Sequence, residues 1–176
     1  MNRMKKLGEK NLKLAIQKSG RLTEETIKLL QDAGLEFESY KQSLFSTCRN
    51  FPLNILYLRD DDIPDYVEKG AVDLGIVGQN MLYETEAKVD TLLKLNYGYC
   101  TLSLAVPKES DIQSVEDLKN KRVATCYERS TKAFFQKENI PVELISISGS
   151  VEVTPAGTET KTSGFTKFHL PRALSM

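Results

Sequence analysis

Short apolar segments of strand length alternate with amphipathic segments of helix length from Leu12 to Ser148. Leu12 to Ile16 alternates like a strand, and Gln17 to Leu22 forms a polar turn around Gly20. Thr23 suits a helix N-cap with Leu22 and Ile27 as a hydrophobic staple; Ile27, Leu30 and Ala33 give the helical stripe and Gly34 the stop. Leu53 to Leu58 reads as a second strand, followed by a short helix capped by Asp62 and ended by Gly70. Leu74 to Val77 reads as a short buried strand, and Asn80 to Ala87 as a helix. A second set follows: extended Tyr99 to Val106, a cap at Ser114, strand Arg122 to Cys126, helix Thr131 to Asn139 and strand Val142 to Ser148. Strands alternating with helices predict an α/β fold with a largely parallel sheet. The expected organisation is a lead-in over 1–10, a first lobe over 11–105, a partial second lobe over 106–156 and an atypical tail over 157–176.

Charge narrows the partners. Lys+Arg and Asp+Glu are 24 each, so no broad basic field exists to hold nucleic acid. Any anionic ligand must be met by a few placed groups. No apolar run approaches the ~20 residues of a membrane span, and the basic MNRMKKLGEKN start lacks an apolar stretch of signal-peptide length. Cys48, Cys100 and Cys126 are widely spaced and unpaired in pattern, which fits reduced thiols and a cytoplasmic location. With one histidine, His169, no zinc site is visible.

Four clusters could carry chemistry. Gln17-Lys18-Ser19-Gly20-Arg21 lies between a strand end and a helix start, where α/β sheets bind ligands. Gly20 permits close backbone approach, Lys18 and Arg21 supply cations, and the helix N-terminus supplies amide donors for phosphate. A solvated basic turn explains the same residues equally well on composition. Asp60, Asp61 and Asp62 repel one another unless they cap, pair or approach a metal. Capping explains Asp62; a metal–phosphate or ribose-hydroxyl role fits Asp60 and Asp61, and an acidic surface loop is the alternative. Asp73 to Asn80 brackets a strand with Gly75 and Gly78, which fits a cleft lining or a tight turn. Gly149-Ser150-Val151-Glu152 offers turn amides and a carboxylate.

Taken in order, LAIQKSGRL (14–22), RDDDIP (59–64), DLGIVGQN (73–80), LSLAVP (102–107), KRVATCY (121–127) and GSVEVTP (149–155) resemble the ATP phosphoribosyltransferases over residues 11–156. The QKSGRL form is similar to the long-form enzymes. The resemblance implies a two-lobed, periplasmic-binding-protein-like (type II) catalytic region whose second lobe is incomplete here. It implies a first step of histidine biosynthesis in which adenine N1 of ATP is joined to C1′ of phosphoribosyl pyrophosphate, with pyrophosphate leaving and Mg²⁺ assisting. Adenine N1 carries a free lone pair, so positioning two polyanions and stabilising the departing charge are the main tasks. By the same resemblance Gln17, Lys18, Ser19, Gly20 and Arg21 line the nucleotide site, Arg49 faces phosphate, and Asp60 to Asp62 border the cleft. Thr101 and Ser103 lie at the crossover, Tyr127 faces the base, and Glu152 approaches phosphoribosyl pyrophosphate. Assembly as dimers and hexamers is implied too.

The sequence departs from the family pattern after Ala156. There GTETKTSGFTKFHLPRALSM shows no sustained period of a strand or helix, and the phosphate-cradling Ser/Thr/Gly loop with its acidic approach is absent. The expectation is a truncated or frameshifted transferase with impaired activity. Two readings compete with it: a non-catalytic nucleotide- or small-ligand-binding module of periplasmic-binding-protein type, and a scaffolding remnant that joins full-length subunits.

Overall fold

The structure, a computed structural model, describes residues 11–38, 44–107, 109–147 and 165–169. The chain divides into two compact units, Met1–Tyr99 and Cys100–Met176. The lead-in, Glu152 and most of the tail lie outside the described residues.

The first unit holds a four-stranded sheet in the order β2-β3-β1-β4. These strands are β1 (Leu12–Gln17), β2 (Phe45–Thr47), β3 (Leu53–Leu58) and β4 (Leu74–Gly75). β1 is parallel to β3 and β4, while β2 runs antiparallel to β3 at the edge. Because β1 is interior and covered on both faces, Leu14, Ala15 and Ile16 are buried in succession rather than alternately. β3 alternates, sending Leu53, Ile55 and Tyr57 to one face, where they meet Leu14, Ile16 and Leu30 of helix α1 (Arg21–Asp32). Ala15 and Leu56 face the other way and pack with Ile63 of helix α2 (Ile63–Glu68) and with Val72. Helices thus cover both faces of the sheet, as the alternation of elements predicts.

α1 begins at Arg21, two residues before the cap expected at Thr23. Gly20 occupies the cap position, and Thr23 in the first turn instead donates its hydroxyl to Gln17 O at 3.1 Å. The helix ends as anticipated: Gly34 N–H donates to Gln31 O and Leu35 N–H to Leu30 O. Asp62 does sit at the N-cap of α2, but its side chain makes no capping bond. β4 is a two-residue strand with Leu74 36% exposed, not the buried strand read from Leu74 to Val77, because it lies at the sheet edge. α2 closes over Gly75, where an added Cβ would come within 2.7 Å of Ile63 Cγ2. Helix α3 spans Gln79–Thr85.

In the second unit, β6 (Arg122–Thr125) and β7 (Glu143–Ser146) pair in parallel across helix α4 (Glu128–Lys137). α4 starts three residues earlier than the sequence indicates, with Tyr127 at its N-cap. Val106, Leu118 and Phe135 form the core, and Phe134 meets Phe135 edge to face at 5.2 Å. β5 (Ser103–Pro107) pairs antiparallel with β8 (Phe165–His169). β8 falls within the segment 157–176 read from the sequence as an atypical tail. Phe165, Thr166 and Phe168 supply the aromatic and β-branched content that favours pairing, although the segment is too short to show a period. All of β5 belongs to the second unit, which begins at Cys100.

Candidate functional site

Parallel pairing brings the carboxyl ends of β1 and β3 level, with Gln17 opposite Leu58. The ladder continues one step beyond them, as Lys18 N–H donates to Leu58 O at 2.7 Å. On the other side Ile76 N–H donates to Ala15 O. Three loops therefore leave the same edge of the sheet: Lys18–Gly20, Arg59–Asp62 and Ile76–Gly78. This is the edge at which open α/β sheets bind ligands.

Within the first loop the backbone folds over the Gln17 side chain. Gly20 has φ +131, and a Cβ there would lie 2.5 Å from Gln17 Nε2, so both backbone and space require glycine. Gln17 Oε1 is buried beneath it without a hydrogen-bond partner among the described residues. A buried orphan acceptor is a local cost of about 1–3 kcal/mol, the kind of frustration native chains tolerate at functional positions. Lys18, Ser19 and Arg21 are exposed, and neither cation has an ion pair among the described residues. Among the described residues no side chain caps α1, so the amides of its first turn point out of the helix beside Lys18 and Arg21. Amide donors, the helix dipole and cations are each groups that attract an anion.

The acidic loop is its neighbour. Arg59 and Asp61 form an exposed pair at 3.4 Å, a contact worth about 1 kcal/mol or less. Asp60 is half-buried and Asp62 exposed, and neither has an ion pair among the described residues. No group of three potential metal-ligating side chains occurs among the described residues. That donor set fits a magnesium ion carried by a polyphosphate, which needs only one or two carboxylates, rather than a cage built by protein alone.

Arg49 is not brought to this edge. β2 runs antiparallel to β3 with Thr47 opposite Asn54, so the chain leaves it at the amino end of the parallel strands. There Arg49 N–H donates to Glu36 O, just past the C-terminus of α1, and its guanidinium pairs with Glu38. Thr101, Ser103 and Tyr127 belong to the second unit. Ser103 begins β5, and Tyr127 caps α4 at the carboxyl end of β6. Thr125 Oγ1 accepts from Tyr127 N–H at 2.9 Å and is 3.0 Å from Thr131 Oγ1, fixing the turn between β6 and α4.

The residue pattern did not reveal what braces the first loop. Leu22 lies against Gly98, where a Cβ would overlap Leu22 Cδ2, and its other methyl would be 3.8 Å from a Cβ at Gly78. One turn along, the buried Thr26 hydroxyl bonds Tyr97 OH at 2.6 Å. The tyrosine–glycine pair was visible in the sequence, but nothing local tied it to a helix 71 residues earlier.

Comparison with known proteins gives this geometry a family. A sequence profile described as HisG, ATP phosphoribosyltransferase, matches residues 59–160, more than half of the chain. A protein of Cytophaga hutchinsonii named ATP phosphoribosyltransferase is 48% identical over 144 residues, which are 82% of this chain and 50% of that protein. One of the same name from Methanosarcina barkeri is 42% identical over 146 residues, again 82% of this chain and 50% of the relative. Among solved structures, the ATP phosphoribosyl transferase (HisG:HisZ) complex from Thermotoga maritima is similar with a TM-score of 0.58 and 29% identity, covering 81% of this chain and 67% of that one. The chain spans about half the length of the curated relatives it matches. With identities of this size across most of its residues, and the motif-bearing loops gathered at one sheet edge, the chain belongs to the ATP phosphoribosyltransferase family.

Proposed function

We propose that this chain carries the ATP-binding part of an ATP phosphoribosyltransferase that condenses ATP with phosphoribosyl pyrophosphate in the first step of histidine biosynthesis. The observation that carries the reading is the pair of cations, Lys18 and Arg21, that have no ion pair among the described residues and lie at the N-terminus of α1. In this reading Lys18 and Arg21 hold the triphosphate, the α1 amides share its charge, and the Gln17–Gly20 turn shapes the pocket floor. In the reaction the N1 lone pair of adenine forms the bond to C1′ while the C1′–oxygen bond breaks, and pyrophosphate leaves with that electron pair. Magnesium would neutralise part of the departing charge, with Asp60 as the carboxylate best free to meet it. No general base is required at N1, because its lone pair is free to attack.

The same reading takes the two α/β units as lobes of a periplasmic-binding-protein-like (type II) fold. Thr101, Ser103, Tyr127 and Glu152 are assigned to substrate contacts of the second lobe. Homo-oligomeric assembly and a cytoplasmic location belong to the proposal; the wide spacing of Cys48, Cys100 and Cys126, without a CxxC pair, supports the latter. The test is incubation of the purified chain with ATP, phosphoribosyl pyrophosphate and Mg²⁺, with chromatographic separation of the nucleotides. Formation of an N1-ribosylated ATP with equimolar pyrophosphate is the expected result. ATP binding without product would favour the non-catalytic nucleotide-binding module, and neither would remove the reading.

A further inference from the structure

α1 is a twelve-residue helix whose first turn carries the anion-binding loop, yet no side chain caps it. What holds its N-terminal half is a segment from the far end of the first unit. Thr26 is 1% exposed, so its hydroxyl needs a partner inside the protein, and Tyr97 OH supplies it at 2.6 Å. Immediately after Tyr97, Gly98 adopts φ +70 and lets the backbone rest on Leu22 Cδ2, where any Cβ would collide. The two contacts grip α1 one turn apart, at positions 22 and 26, which are i and i+4 on the same helix face. Leu22 directly follows Arg21. Thr23 N–H reaches back to Gly20 O, and Thr23 Oγ1 reaches back to Gln17 O. A shift of α1 along its axis therefore moves both ends of the Gln17–Arg21 turn.

We infer that Tyr97 and Gly98 are positioning residues for the nucleotide site: they clamp the first two turns of α1 through Thr26 and Leu22 and so fix the Lys18–Arg21 loop against the sheet edge. This rests on the reading of that loop as the ATP site. Tyr97 touches no ligand in this account; it acts through the helix. The Tyr97–Gly98 pair lies directly before Tyr99, the last residue of the first unit. The loop's geometry is thereby tied to the strand-free stretch that leads out of the first unit.

The clamp is tested with Tyr97→Phe, Thr26→Val and the double variant in the full chain, by two readouts. Hydrogen–deuterium exchange, followed by mass spectrometry, reports on the turn without ligand. Both single variants should speed exchange several-fold in peptides covering Gln17–Thr26 and leave Leu53–Glu68 unchanged. The double variant should match the singles, because each removes the same bond. Calorimetric titration with ATP should then show affinity lowered by up to about tenfold, with the thermal midpoint lowered by only a few degrees. Unaltered exchange in Gln17–Thr26 overturns the clamp whatever ATP does. Faster exchange with unaltered ATP affinity overturns the positioning role. If the unsubstituted chain binds no ATP, the proposed function fails, while the exchange experiment still decides the clamp.

Discussion

Lys18 N–H donates to Leu58 O at 2.7 Å, extending the β1–β3 ladder one step past the last paired residues. This bond joins the two loops whose side chains differ most in charge, Lys18–Arg21 and Asp60–Asp62. Neither loop needs an ion pair to stay near the other, because backbone register places them there. The cations are left for a ligand.

Gly20→Ala should damage both fold and site. The new Cβ would meet the Gln17 amide, and φ +131 is strained for any L-residue. A loss of about 1–3 kcal/mol is expected in urea denaturation, together with weakened ATP binding.

Arg49→Ala is the complementary case. Its ion pair with Glu38 is exposed at the amino end of the strands. Stability should change by less than about 1 kcal/mol, and ATP affinity in titration calorimetry should stay within about twofold of the parent, since 1.4 kcal/mol is needed for tenfold. A large affinity loss would mean that the chain there can reach the opposite edge.

Much of this arrangement was legible in the residues, and the exceptions have physical causes. β3 and the stops at Gly34 and Gly70 followed from alternation and turn chemistry. The adjacency of QKSGR and RDDD followed from parallel pairing alone. The start of α1 did not, because Thr23 is a good cap residue by type but uses its hydroxyl on Gln17 O once Gly20 has turned the chain. The position of Arg49 at the amino end of the strands was not legible, because sequence order cannot tell which end of an edge strand a residue leaves. The Tyr97–Thr26 bond spans 71 residues and has no local signature. β8 is too short for periodicity to register.

Ile55→Ala should test the core of the first unit. Ile55 is fully buried in the middle of β3, packed with Leu14, Ile16 and Leu30. Truncation should cost about 2–5 kcal/mol by denaturant unfolding. A loss under about 1 kcal/mol would be at odds with a close-packed sheet–helix layer.

Asp117 gives a pH signature in the second unit. Its carboxylate accepts from Gln113 N–H, then Ser114 N–H and Ser114 Oγ–H, and these bonds hold its pKa below the ordinary 3.8. A depressed folded-state pKa means stabilisation fully present above the unfolded value and lost as pH falls through the folded one. The gap in thermal midpoint between the parent and Asp117→Asn should therefore be constant above about pH 5 and shrink below pH 3.8. A gap that widens on acidification would contradict the assignment.

In the proposed function the Lys18–Arg21 loop binds the triphosphate of ATP. Isothermal titration of the full chain with ATP and Mg²⁺, beside Lys18→Ala/Arg21→Ala, tests it most directly. The account predicts saturable binding by the parent that weakens as salt rises, and at least a tenfold loss in the double variant, the equivalent of about 1.4 kcal/mol. Equal affinity in the two proteins, or no binding by the parent, would contradict it.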